Sequence, residues 1–210
     1  MSIADKILRA KADYDAVYEA GYEKGKSEGG GGLTPSEGLY FEETYDLDGY
    51  VMYVNTYGWT GIGTCTDTEI VVPCANPANG RPVVSVGHID EWYSNLGSPS
   101  LKNIIKVYLP DTITRIEDNA LTGGESLKYI KFGKYLNYVG SFQWNYDMYD
   151  QSAPTDVVLD FSDFALSTPP TLSDISLLLG VSEIRVPSAM IDTFTFATNW
   201  ASASDKIVGV

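Results

Sequence analysis

Apolar residues recur along this chain in one register at a fixed interval. VYLPDTITRIEDNAL (Val107–Leu121) returns 23 residues later as IKFGKYLNYVGSFQW (Ile130–Trp144). Val107 answers to Ile130, Leu109 to Phe132, Ile113 to Leu136, Ile116 to Val139 and Leu121 to Trp144. A fixed period of this size is the mark of a solenoid, in which each unit buries its apolar face on its neighbours. Within each unit the pattern is that of a short strand, with two inward apolar residues separated by one outward residue. The inward pairs are Ile70/Val72, Val107/Leu109, Ile130/Phe132, Leu159/Phe161 and Ile184/Val186. Pro73, Pro110 and Pro187 follow three of them, where a backbone N–H is no longer needed. A second pair follows the first three strands, at Val83/Val86, Ile113/Ile116 and Leu136/Val139, and supplies the opposite wall of the core. The fourth unit is irregular, with Pro169-Pro170 and the apolar run Ile175–Leu179. A short helix over Ser188–Phe196, with Trp200, is expected to close the far end.

The pattern differs before residue 39. Ile3, Ile7, Ala10, Tyr14, Val17 and Gly21 follow at alternating spacings of four and three, an a/d seam on a helix over residues 2–28. Ser2 and Asp5 fit its start, where a side-chain oxygen caps a free amide. At 1.5 Å per residue the helix is about 40 Å long. Alone such a helix is barely stable, so it needs a partner: copies of itself, another protein, or its own domain. Gly29–Gly32, with Thr34, Pro35 and Ser36, reads as a flexible tether. Tyr50, Met52 and Val54 alternate with Val51, Tyr53 and Asn55, and turn residues follow at Gly58, Gly61 and Gly63. This predicts a hairpin shielding the open end of the solenoid, where a sheet edge would otherwise be exposed. The expected organisation is a helical anchor over 1–28, a Gly-rich linker over 29–38, a β-hairpin cap over 39–68 and repeats with a C-terminal helical cap over 69–210.

The repeat residues resemble the BspA-like leucine-rich repeat family, whose unit reads L-x-x-I-x-(I/L)-P-x-x-(V/I)-x-x-I-x-x-x-A-F. LKNIIKVYLPDTITRIEDNAL is close to it. EIVVPCANPANGRPVVSVG looks like the family's opening unit through Gly80, Pro82, Val83, Val86 and Gly87, with one extra residue after Gly80. IRVPSAMIDTFTFATNW is similar to its closing strand and helix. The resemblance covers about residues 39–210 and implies a mainly β, leucine-rich-repeat-type β-solenoid with irregular units of 23–29 residues. It also implies an interaction module without a shared catalytic site. ADYDAVYEAGYEKGKSEGG in the helix looks like the N-termini of virion proteins from phages and prophages of gut bacteria. That likeness implies a decoration, fibre or tail-associated protein meeting a host surface or neighbouring subunits; the a/d seam makes Ile3, Ile7, Ala10, Tyr14 and Val17 the expected positions of homo-oligomerisation or of anchoring to another virion protein. A bacterial adhesin or protein-interaction module of the same type is the alternative.

Charge and chemistry narrow the partner only a little. The net charge is −14, and no Lys or Arg occurs between Lys26 and Arg81 or between Lys134 and Arg185. Nucleic acid is not the expected partner, because phosphate binding relies on clustered Lys and Arg. No run of about 18 apolar residues exists, so no membrane insertion is expected. The charged first residues lack the apolar core of a secretory signal. The expected location is the virion, after synthesis in a bacterial cytoplasm, or alternatively the bacterial cell surface.

No cofactor or metal is expected. His88 is the sole histidine and reads as a turn residue. Asp46 and Asp48 before Gly49 start like a calcium loop but lack the distal Glu. The glycine run lacks the Gly-Lys-Ser/Thr of a phosphate loop, and no Gly-x-Ser-x-Gly elbow exists. Cys65 and Cys74 are either a local bridge or two reduced apolar residues. The paired carboxylates Asp147/Asp150 and Asp160/Asp163 read as solvated loop residues on an acidic protein. An enzyme acting on glycans through Asp147 and Asp150 would need a cleft between two carboxyls at defined separation, and the sequence offers none.

Two aromatic surfaces remain as candidates. Trp144, Tyr146 and Tyr149 lie in an insertion between repeats, beside Asn145, Asp147 and Asp150. Aromatic faces beside polar groups suit sugars and protein hot spots. Trp144 also fits the apolar repeat position of Leu121. The outward strand residues Val71, Tyr108, Lys131, Asp160 and Arg185 form the second surface, with Tyr129 close by. Stacked in parallel, Lys131, Asp160 and Arg185 make an alternating charge ladder. The candidate ligand residues are therefore Tyr108, Tyr129, Trp144, Tyr146 and Tyr149, facing a host-surface protein or glycan.

Overall fold

The computed structural model describes residues 33–39, 41–45, 52–56, 65–78, 80–87, 103–118, 120–121, 124, 126–142 and 154–210. The protein is mainly sheet. The strands are β1 (Glu42–Tyr45), β2 (Met52–Thr56), β3 (Glu69–Val71), β4 (Val83–Val86), β5 (Lys106–Tyr108) and β6 (Arg115–Ile116). They continue as β7 (Tyr129–Lys131), β8 (Tyr138–Val139), β9 (Val157–Asp160), β10 (Thr171–Leu172), β11 (Val181–Val186) and β12 (Ile207–Gly209). One short helix, α1 (Ile191–Thr195), follows a 3-10 turn at Ser188–Met190.

The strands form two open six-stranded sheets. The first runs β1-β2-β4-β6-β8-β10 and the second β12-β11-β9-β7-β5-β3. From β3 to β11 the chain alternates between them. Every pairing is parallel except the β1/β2 hairpin, and neither sheet closes into a barrel among the described residues. The core lies between the sheets, with the inward residues of both in one cluster.

Strand register coincides with the repeat offset. Val107 faces Ile130 and Ile116 faces Val139, so one sequence interval is one step across each sheet. Ile70, Val107, Ile130, Leu159 and Ile184 stand in one row of the second sheet. Val86, Ile116, Val139 and Leu172 stand in one row of the first. Leu172 was hidden in the irregular fourth unit, because Pro169 stands three positions before it where Ile113 and Leu136 stand before Ile116 and Val139. Ladder bonding continues through Val72 N–H to Tyr108 O (3.0 Å) and Leu109 N–H to Lys131 O (2.9 Å), then stops at the prolines.

Carboxylates fasten one unit to the next at the corners. Asp111 Oδ1 accepts from the Lys134 backbone N–H at 3.0 Å, and Oδ2 from Lys134 Nζ at 2.6 Å. Asp118 Oδ1 accepts from the Ser141 N–H at 2.9 Å. Both links span one repeat interval of 23.

The ends are closed differently. Ser36 lies on the β3 edge, its N–H donating to Val71 O at 3.0 Å and its Oγ accepting from the Val71 N–H at 3.1 Å. That end of the expected tether is therefore docked. It also corrects the reading of Val71 as an outward surface residue, because Val71 is buried. At the other end Phe161 stacks on Phe132 with centroids 4.1 Å apart, Trp200 meets it edge-on and Phe194 packs against it at a tilt. Trp200 Nε1 donates to Pro170 O at 2.8 Å and Asn199 Nδ2 to Leu172 O at 2.9 Å, covering the β10 edge. The last strand, β12, extends the second sheet beyond the strands expected from sequence. Cys65 and Cys74 are both buried and form no disulfide. Among the described residues no helix is long and apolar enough to cross a membrane. The expected helix over 2–28, Gly29–Gly32, His88, and Asp46 and Asp48 lie outside the described residues.

Candidate functional site

In each short strand of the second sheet the residues before and after the inward position point away from the core. They make two parallel outer rows. One runs Glu69, Lys106, Tyr129, Val158 and Glu183, and the other Val71, Tyr108, Lys131, Asp160 and Arg185. Tyr108 and Tyr129 therefore lie diagonally on adjacent strands. Their ring centroids are 5.7 Å apart and their planes tilted by 54°.

Asp160 is the centre of the face. Its Oδ2 accepts from the Tyr129 hydroxyl at 2.6 Å, and its Oδ1 from Lys131 Nζ at 3.1 Å and the Ser162 N–H at 2.8 Å. The residue is 6% exposed, which corrects its reading as a solvated carboxylate. The position after β9 folds back, so the Ser162 amide covers what a flat strand would leave open. Burial alone would push the carboxyl up. The bonds from Tyr129, Ser162 and Lys131 outweigh it and hold the pKa at about 2. Burial, and then the bond to Asp160, push the Tyr129 hydroxyl well above its ordinary value, so it remains a donor.

The remaining charges are matched locally. Lys131 Nζ also meets Asp163 Oδ2 at 2.8 Å and the Ser162 hydroxyl oxygen. Lys106 Nζ meets Glu69 Oε1 at 2.7 Å. Arg185 Nε donates to Glu183 Oε1 at 2.6 Å, on its own strand. The expected ladder is thus corrected: Lys131 bonds Asp160, but Arg185 turns to Glu183. On the first sheet's outer face the Arg115 guanidinium lies 4.1 Å from the Tyr138 ring centroid and bonds Glu117 at 2.7 Å.

Asp160, held low, and Tyr129, held high, are poorly matched to proton transfer near neutrality, which works best with a group titrating near the working pH. Among the described residues no three His, Cys, Asp or Glu side chains are grouped to hold a metal ion.

Of the residues expected at a ligand surface, Tyr108 and Tyr129 come together. Trp144, Tyr146 and Tyr149 lie outside the described residues, as do the anchor positions Ile3, Ile7, Ala10, Tyr14 and Val17. Sequence reading overlooked Glu69, Lys106 and Glu183. Each lies two positions before a residue already placed outward, and period-two alternation is the signal that finds them. No family model, curated protein or solved structure matches the chain.

Proposed function

We propose that this chain is a non-enzymatic structural or accessory protein of a phage virion, built as a leucine-rich-repeat-type β-solenoid on an oligomerising helical stem. The agreement between the 23-residue sequence interval and the strand register carries the solenoid reading. Each unit then adds one strand to each sheet, and growth by stacking yields long parallel faces with polar and aromatic outer rows. Such a face suits recognition of a host surface or a neighbouring subunit. The a/d seam of Ile3, Ile7, Ala10, Tyr14 and Val17 supports self-association, which multiplies weak single contacts.

Light scattering on the full chain, with probing of purified particles for it, tests this reading. A multimer that Ile7→Asp with Val17→Asp converts to a monomer, and that is present in particles, is the expected result. A monomeric parent found in no particle sinks it.

A further inference from the structure

The tyrosine pair on the second sheet has the features of a built platform. Tyr129 is held in place by its hydroxyl on Asp160, which lies within a network of three donors. A ring fixed before binding loses little conformational freedom when a ligand arrives. Tyr108 is half-buried, and no described residue hydrogen-bonds its hydroxyl. Among the described residues the Tyr108 hydroxyl is left to water or to a ligand group.

The surrounding charges indicate what kind of ligand fits. Lys106, Lys131 and Arg185 each have an anion within 3.1 Å. A charged ligand finds these cations and carboxylates already paired, so the face offers it no unmatched charge. A neutral, hydroxyl-rich ring meets no such obstacle. Its C–H face stacks on tyrosine, and its hydroxyls bond the lone pairs and N–H groups left over by the ion pairs. Lys106 carries three donors and Glu69 two acceptor oxygens, and only one of each is engaged in their mutual bond.

We infer that the outer face of the second sheet binds a neutral hexopyranose unit of a polysaccharide, with Tyr108 as the stacking and hydroxyl contact, Tyr129 as the second wall and the Lys106–Glu69 pair as the polar rim. This rests on the reading of the chain as a surface-presenting module and names the ligand class of that face. Single-site binding is weak, and the multimer supplies avidity.

The test is retention of the labelled full chain on an array of neutral hexopyranose oligosaccharides, with sialylated and sulfated glycans as comparators. Titration with the best-retained oligosaccharide follows. Retention confined to neutral glycans is expected, nearly independent of salt. Tyr108→Ala is expected to weaken it roughly tenfold, the upper end of an aromatic stacking contribution. Tyr108→Phe keeps the ring and is expected to lose less. Circular dichroism and light scattering check that both variants fold and assemble like the parent. Retention of no neutral glycan, preference for charged glycans, or parent-like binding by Tyr108→Ala overturns the inference. A multimeric, particle-borne parent that retains no neutral glycan loses only the ligand assignment. A monomeric parent absent from particles loses the virion reading, while its titration still judges the ligand.

Discussion

Asp160 concentrates the chemistry of this protein in one residue, because it is buried, ionised and bonded by three donors. Its folded pKa of about 2 lies below the ordinary value of 3.8. A depressed carboxylate stabilises the fold fully above its unfolded pKa, and that stability is lost as pH falls through the folded pKa. The difference corresponds to about 2 kcal/mol, released between about pH 5 and pH 2. Asp160→Asn keeps the shape but cannot ionise. Urea unfolding at both ends of this window should show the parent losing about 2 kcal/mol more than the variant. Equal losses would assign the acid sensitivity elsewhere. Alternation along LDFSD made Asp160 legible as an outward residue. Its burial was not legible, because it comes from the Tyr129 side chain one strand away and the Ser162 amide beyond the strand end.

The elements are very short, and their spacing depends on backbone contact at the corners. A Cβ built on Gly133 would lie 2.2 Å from Pro110 O, and one on Gly140 2.5 Å from the Asp118 backbone N. Each glycine sits where a unit rests directly on the preceding one. Gly133→Ala must push two units apart and is expected to destabilise the fold by about 3 kcal/mol, the upper end of over-packing effects. Gly124 is the control: its added Cβ meets Leu121 O at 3.2 Å, so Gly124→Ala should lower the melting temperature much less. Thermal unfolding of the two variants compares them, and similar shifts would refute the corner argument. Strands β3, β5, β7, β9 and β11 were readable because each region carries two inward apolar residues with one outward residue between them. Strand β12 was not, because Ile207–Gly209 follows a 3-10 turn and belongs to no repeat. Its place is set by docking on β11.

At the scale of the molecule, each strand of the second sheet pairs only with the strands beside it, so the ends matter more than in a fold with crossing layers. Trp200 is fully buried at one end, against Phe161 and Phe194. Trp200→Ala is expected to remove about 3–5 kcal/mol. The loss should be graded along the sheet. In hydrogen exchange, β11 amides should speed up more than those of β5, and uniform acceleration would indicate a single cooperative unit instead. The repeat interval, the inward rows and the parallel stacking were all written in the order of apolar residues, because side-chain direction in a strand is a local, period-two property. The pairing of Arg185 with Glu183, the bonding of Ser36 to the Val71 backbone, the absence of a disulfide between Cys65 and Cys74 and the addition of β12 were not. Each depends on which distant segments the packed chain brings within bonding distance, or on which of several nearby partners a side chain reaches, and periodicity carries no information on either.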